Sequence, residues 1–400
     1  MSTLKVDAIR HNSATSDAIT TAADGTCTAK ITSVGGGQLS HRNLIINGDY
    51  RIAQRATSST SNGYQTMDRW YVYAANHSVT VTTAQVAITS GNAYDDGFRK
   101  AAKISLSGAG TLANNTEILL YQKIEATNLA SSGWNYKSAS SNITLSFWVK
   151  SSTAQAFAAH IRTEDGTAYL YSFTYTVAQA NVWQKITKTI PGNSNITISD
   201  NNGSGLRVYV GVPAIGSDYT SGTADTWVVS SSSNKFPTVP NTWLTAGSST
   251  FELTGVQLEV GDTATTFEYR SVGEELVRCQ RYFAIFPGRS GGIPFWQGYM
   301  GSSSGYCSIP VPNFNFRVVP TPTDATTGTS SSSGSIYDVY GNNLNSRFSG
   351  NGTVTLTCGG YAPSGIGLIM NFGTHQSGTK EGVVASWNGA VPGIFLSAEF

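Results

Sequence analysis

The sequence predicts a mainly β protein organised around a central antiparallel sandwich, and three observations carry that prediction. Charged residues make up 12% of the 400, about half the usual share of roughly 25%, and Gly, Ser, Thr and Asn take their place. Strand-like runs recur at short intervals through residues 43 to 270, with turn residues between them and no helical period. One short stretch, starting at Ser271, carries the signature of a helix start.

The run Phe251 to Val260 reads as the last strand of the sandwich. Phe251, Leu253, Gly255 and Gln257 point one way and Glu252, Thr254, Val256, Leu258 and Val260 the other. One face therefore turns from polar to apolar along the strand, as expected of a strand entering a core. Ser271 and Glu274 have the spacing of a capping box, in which hydroxyl and carboxylate each satisfy a free backbone N–H. Glu274 and Glu275 in the first turn and Arg278 and Arg281 in the last suit the helix dipole. Leu276, Cys279 and Phe283 share one narrow apolar face. Such a helix must lie on a neighbour, either a sheet or copies of itself.

Before that strand come runs at Trp70 to Tyr73, Val79 to Val81, Ala102 to Leu106, Ile118 to Ile124, Ile143 to Val149 and Ala156 to Ile161. Tyr169 to Val177, Trp183 to Ile190, Leu206 to Val212 and Trp227 to Val229 continue the series. Many strands without intervening helices predict a β-sandwich of the jelly-roll type. Asn43 to Tyr50 opens it as a short apolar run closed by the turn pair Asn47-Gly48. The predicted organisation is an N-terminal segment and linker over 1–42, the sandwich over 43–270, a linking helix over 271–283 and a β head over 284–400. In the head, Thr326 to Ser335 is a Ser/Thr/Gly run and reads as a loop.

Composition narrows the function. A formal net charge of +1 supplies no broad basic field for nucleic acid or acidic membranes. No stretch approaches the ~18 apolar residues needed to span a bilayer, and residues 1 to 30 lack a secretory-signal pattern. Cys27, Cys279, Cys307 and Cys358 have no metal-ligand or redox spacing and read as free thiols. Leu4, Val6 and Ala8 alternate in an otherwise polar N-terminus that could add a strand to a partner.

A resemblance rests on an ordered series of motifs. Asn43 to Tyr50 resembles the opening strand of carbohydrate-binding-module jelly rolls, and Phe251 to Glu259 their closing strand. Together with Gln54-Arg55, Asp68-Arg69-Trp70 and Arg278-Cys279-Gln280-Arg281-Tyr282-Phe283, the series is similar to tail-fibre proteins of tailed bacteriophages, notably those of marine cyanobacteria. The head departs from that pattern at Asn313 to Phe316. The resemblance implies a homotrimer in the virion. It implies attachment to the phage tail or an adaptor protein through Leu4, Val6 and Ala8. It implies recognition of a host-surface glycan or outer-membrane receptor by the head, and in some jelly rolls a structural calcium. Leu276, Cys279 and Phe283 would then lie near the threefold axis or, failing that, against their own sandwich.

No catalytic constellation stands out. Asp95-Asp96 and Glu164-Asp165 are adjacent pairs in turn-like contexts, and neighbours on an extended chain point to opposite sides, unlike the two acids that flank a glycosidic bond. The five histidines are scattered. Asp200 to Gly205 offers alternating oxygens but no bidentate carboxylate for calcium. Aromatic residues are the better ligand candidates, because sugar rings stack on flat side chains. Trp148 and Trp183 read as core, while Trp227 and Trp243 are open as to exposure. Tyr337, Tyr340 and Trp387, read as loop aromatics near the tip of the head, are the candidate receptor contacts. The expected function is therefore a non-enzymatic tail fibre without a required cofactor. A polysaccharide depolymerase and a purely structural virion protein are the alternatives.

Overall fold

The computed structural model describes residues 41–287 without a break and, outside them, residues 6, 8–9, 19–21, 23, 27–29, 296–300, 305–310, 316–318, 320–324, 331–338, 353–361, 365–371, 382–387 and 393–400. The fold is mainly β. Near the N-terminus, strands β1 (Ala8–Ile9), β2 (Ile19–Thr21) and β3 (Cys27–Ala29) form an antiparallel meander. Val6 and Ile9 are exposed there.

The sandwich consists of two six-stranded antiparallel sheets. The first is ordered β14-β11-β10-β13-β8-β5, from β5 (Tyr71–Ala75), β8 (Glu117–Glu125), β10 (Gln155–Thr163), β11 (Tyr169–Val177), β13 (Ser204–Ile215) and β14 (Trp227–Val229). The second is ordered β12-β9-β15-β7-β6-β4, from β4 (Ser58–Ser59), β6 (Val81–Ala87), β7 (Lys100–Leu106), β9 (Asn142–Ser151), β12 (Gln184–Pro191) and β15 (Thr250–Val260). Short helices α1 (Asn92–Asp95), α2 (Ala126–Ala130) and α3 (Thr242–Thr245) sit in the connections. Period-two alternation brings Phe157, Ile161, Phe173, Leu206, Val208, Phe147 and Leu145 into one core between the sheets.

On β15 the core-facing residues are Phe251 and Leu253, then Val256 and Leu258. A bulge causes the offset: the register with β9 runs Thr254↔Trp148 and then Gln257↔Ser146, and Gly255 there adopts φ 62°. The change of face read from the sequence is this extra residue. Asn43 to Tyr50 is irregular rather than an opening strand, because Asn47 and Tyr50 both take positive φ. It still runs beside β15: Leu44 N donates to Leu258 O at 2.9 Å and Val256 N to Gly48 O at 2.9 Å.

Helix α4 (Val272–Gln280) starts with the predicted capping box between Ser271 and Glu274. It packs on its own sandwich. Cys279 and Tyr282 are buried against Ile46 and Ile52, with Leu276 beside them, and Phe283 is 1% exposed. Of the two positions read for Leu276, Cys279 and Phe283, the contacts within one chain are those with its own sandwich.

The motifs that carry the resemblance meet at one joint. Gln54 binds Asp68 through both its backbone and side-chain nitrogens and donates to Phe283 O at 2.9 Å. Arg69 pairs with Glu399 and lies 3.3 Å from the centre of the Tyr282 ring. Arg281 makes a two-pronged bond to Glu125, 2.7 Å on each arm. Burial alone would raise the Glu125 carboxyl, but the bonds from Arg281 and Tyr282 hold it below its ordinary value.

Beyond the joint, β16 (Phe283–Pro287), β24 (Gly393–Ser397) and β19 (Thr321–Asp324) form a three-stranded sheet. A closed six-stranded barrel follows: β17 (Trp296–Met300), β18 (Gly305–Pro310), β22 (Gly365–Asn371), β21 (Thr353–Tyr361), β20 (Ser331–Asp338) and β23 (Gly382–Trp387). Half of the run read as a loop, from Ser331 onward, is thus strand.

Candidate functional site

Successive strand residues point to opposite sides, so each strand of the first sheet also presents an outer face. On β10 that face carries His160 and Arg162, on β13 Tyr209 and Arg207, and on β8 Tyr121 and Lys123. The antiparallel register aligns them. His160 lies opposite Tyr209, Tyr209 opposite Tyr121, and Tyr121 opposite Tyr71 on β5. One position pair along, Arg162 lies opposite Arg207 and Arg207 opposite Lys123. A row of rings therefore runs across four strands beside a row of three cations.

The rings touch along the row. Tyr209 and Tyr121 have centroids 4.6 Å apart, and Tyr121 stacks on Tyr71 at 5.0 Å and 18°. Tyr64 meets the edge of Tyr71 at 5.1 Å. At the other end, Phe236 folds over His160 at 4.5 Å. Tyr121 and Tyr209 are nearly buried and Tyr71 half-buried. Burial raises both buried phenols above their ordinary range, so they act as neutral hydroxyls.

The cations are held in place. Glu164 accepts from Arg162 Nη1 at 2.8 Å and from Arg207 Nη2 at 2.5 Å. Arg207 Nη1 donates to the Tyr209 hydroxyl at 2.8 Å, and Arg162 Nε to Ser230 Oγ at 3.2 Å. A cleft of about 300 Å³ opens here, with Arg162, Arg207, Tyr209, His160, Lys235 and Ser230 to Ser232 in its walls. His160 Nδ1 donates to Lys235 O at 2.9 Å. Burial lowers the imidazole pKa to about 3, so it stays neutral, and its Nε2 has no hydrogen-bond partner. Lys123 is lowered by burial and then by the facing Arg207.

The residues singled out from the sequence fall elsewhere. Tyr337 and Trp387 are on barrel strands β20 and β23, in register with Val384 and Gly334, and not on loops. Tyr340 and Leu4 lie outside the described residues. Val6 and Ala8 are exposed beside the N-terminal meander, where Val6 O accepts from Thr21 Oγ1 at 2.9 Å. Trp148 and Trp183 are buried in a satellite cluster, Trp243 is in the main core, and Trp227 is half-buried against Tyr171. Glu164 and Asp165 are half-buried: the first bridges two arginines and the second accepts from Ser199 N at 2.8 Å.

In the loop weighed for calcium, the polar side chains make hydrogen bonds within the chain. Asp200 accepts from Thr127 at 2.7 Å, Asn201 from Gly203 N at 2.7 Å, and Asn202 donates to Arg317 O at 3.0 Å. Among the described residues no group of three or more His, Cys, Asp or Glu side chains is placed to hold a metal ion.

The ring and cation rows escaped the sequence reading, yet they leave a signal. A ring and a cation stand two residues apart in three strands: His160 and Arg162, Arg207 and Tyr209, Tyr121 and Lys123.

No protein-family model matches the chain, and no curated protein matches it. Solved structures similar to it include the enzymatically active domain of a bacteriophage CBA120 tailspike protein, at 12% identity and TM-score 0.29 over 55% of this chain. This chain spans 21% of that tailspike structure's length. A sugar-binding protein described as putative in its own name, from Bacteroides thetaiotaomicron, is 13% identical with TM-score 0.28, covering 55% of this chain and 99% of the other. A family 4 carbohydrate-binding module is 13% identical with TM-score 0.28, covering 54% and 97%.

Proposed function

We propose that the chain is a non-catalytic glycan-binding protein of the phage tail-fibre kind. The observation that carries this reading is the ring row on the outer face of the first sheet. The half-buried ring of Tyr71, backed by the buried Tyr121 and Tyr209, offers the C–H faces of sugars a surface, and the adjoining arginine and serine side chains offer hydroxyl partners. The principal glycan contact is thus assigned to the sandwich, with Tyr337, Tyr340 and Trp387 of the head as further candidate contacts. The N-terminal segment would attach the protein to the tail or an adaptor, and three copies would multiply weak contacts through high effective concentration. Motifs similar to tail-fibre proteins meeting at one joint favour this assignment.

A depolymerase is the second reading. Hydrolysis of a glycosidic bond calls for two carboxylates flanking it, whereas the one carboxylate on the wall arginines, Glu164, is taken up by Arg162 and Arg207. The test is a glycan array and purified bacterial surface polysaccharides, read for both binding and reducing ends. Retention without new reducing ends is expected. Release of reducing ends would replace the proposal with the depolymerase, and no retention on any glycan would leave a purely structural protein.

A further inference from the structure

The cation row asks for more than a neutral sugar. Like charges placed directly opposite on neighbouring strands repel, yet Arg162 faces Arg207 and Arg207 faces Lys123. Glu164 is the carboxylate bonded to the two arginines. Lys235, also in the cleft wall, is already matched by Glu117 at 2.7 Å. Three cations against one carboxylate leave an excess of positive charge on a face of a chain whose total is only +1. Arg207 Nε is moreover buried without a hydrogen-bond partner in the wall of the cleft. Three strands about 4.8 Å apart put roughly 10 Å between the outer backbones, so the row can meet successive groups along a chain as well as a single ion.

Resting on the glycan-binding reading above, we propose that the ligand is an acidic glycan. Its sugars bear oxyanion groups that lie against Arg162, Arg207 and Lys123 while its rings lie along the outer edge of the tyrosine row, where Tyr71 is half-buried. The planar guanidinium suits carboxylate and sulfate alike, because both present paired oxygens to its fork of N–H groups. Glu164 then acts as a positioning residue, holding both guanidiniums across the groove.

Calorimetric titration of the full chain with oligogalacturonate, with its methyl ester and with a sulfated galactan oligosaccharide tests this. At least one acidic ligand should bind ~10-fold or more tightly than the uncharged ester, and rising ionic strength should weaken the acidic ligand selectively. The tighter of the two acidic probes identifies the oxyanion. Arg162→Gln with Arg207→Gln should abolish the preference, whereas Arg162→Lys, which keeps the charge, should retain part of it. Thermal unfolding of each variant separates lost recognition from lost folding. Equal binding of the ester and both acidic probes overturns the acidic assignment and leaves glycan binding standing. Binding of neutral array glycans alone does the same. If no glycan of any charge binds, the reading beneath it fails as well.

Discussion

Arg69 and Glu399, 330 residues apart, form a buried ion pair that fastens the chain's end to the start of the sandwich. The Arg69 side chain is 0% exposed and Glu399 6%. Removing one partner strands the other charge away from water, so Glu399→Gln should cost about 3–5 kcal/mol. Urea unfolding of the full chain measures it. Replacing both, as Arg69→Met with Glu399→Leu, should recover only part of the loss, because Arg55, 3.6 Å from Glu399, also loses a partner. A single variant as stable as the parent would mean that the C-terminal residues do not dock there.

His160 predicts a specific pH dependence. Its pKa falls from 6.5 to about 3, chiefly by burial and then by the charges of Arg162 and Lys235. Below pH 6.5 the unfolded imidazole takes a proton that the folded one refuses. Its contribution is therefore complete above about pH 6.5 and is lost as pH falls toward 3, with a slope of at most about 1.4 kcal/mol per pH unit. The His160 ring resonances should show no titration between pH 5 and 8, and His160→Gln should flatten the acid limb. A midpoint near 6.5 would contradict the buried, neutral assignment.

Gly255 stands where only glycine fits. It adopts φ 62°, and a Cβ there would lie 2.5 Å from the Phe98 ring. Gly255→Ala should destabilise by about 2–4 kcal/mol, combining backbone strain with overpacking. Unfolding midpoints would show it, and an unchanged midpoint would mean that the bulge relaxes.

The cap of α4 is a smaller matter. Ser271 accepts from Glu274 N at 3.2 Å, and its loss in Ser271→Ala should cost about 1 kcal/mol. Hydrogen exchange should quicken in the first turn of α4 and little elsewhere. Unaltered exchange at Glu274 would count against the cap.

The sequence made the sandwich legible because alternation in strands such as Tyr169–Val177 is strong, and the capping box located α4 because its partners are local. What it concealed depends on pairings between distant strands. Tyr121 and Tyr209 meet only through the β8–β13 register, which shifts between Tyr209 and Gly211, and bulges of that kind cannot be counted from one strand. The net charge likewise averaged away the Arg162–Arg207–Lys123 row. Leu276 and Cys279 were recognisable as an apolar face, but the pattern does not say what covers it; the structure supplies Ile46 and Ile52 of the same chain. Ser331–Asp338 joins the barrel although serine and glycine dominate its first half, because strand pairing with β21 and β23 overrides weak local preference.

The central claim is that sugar rings lie along the tyrosine row. The most direct measurement is the affinity of the full chain for a glycan retained on the array, compared between the parent and Tyr71→Ala, with the unfolding of each followed in parallel. Loss of one stacking ring should weaken binding about 5- to 10-fold at a temperature where the variant is folded. Unchanged affinity in a folded Tyr71→Ala protein would contradict the account and move the contact to another surface.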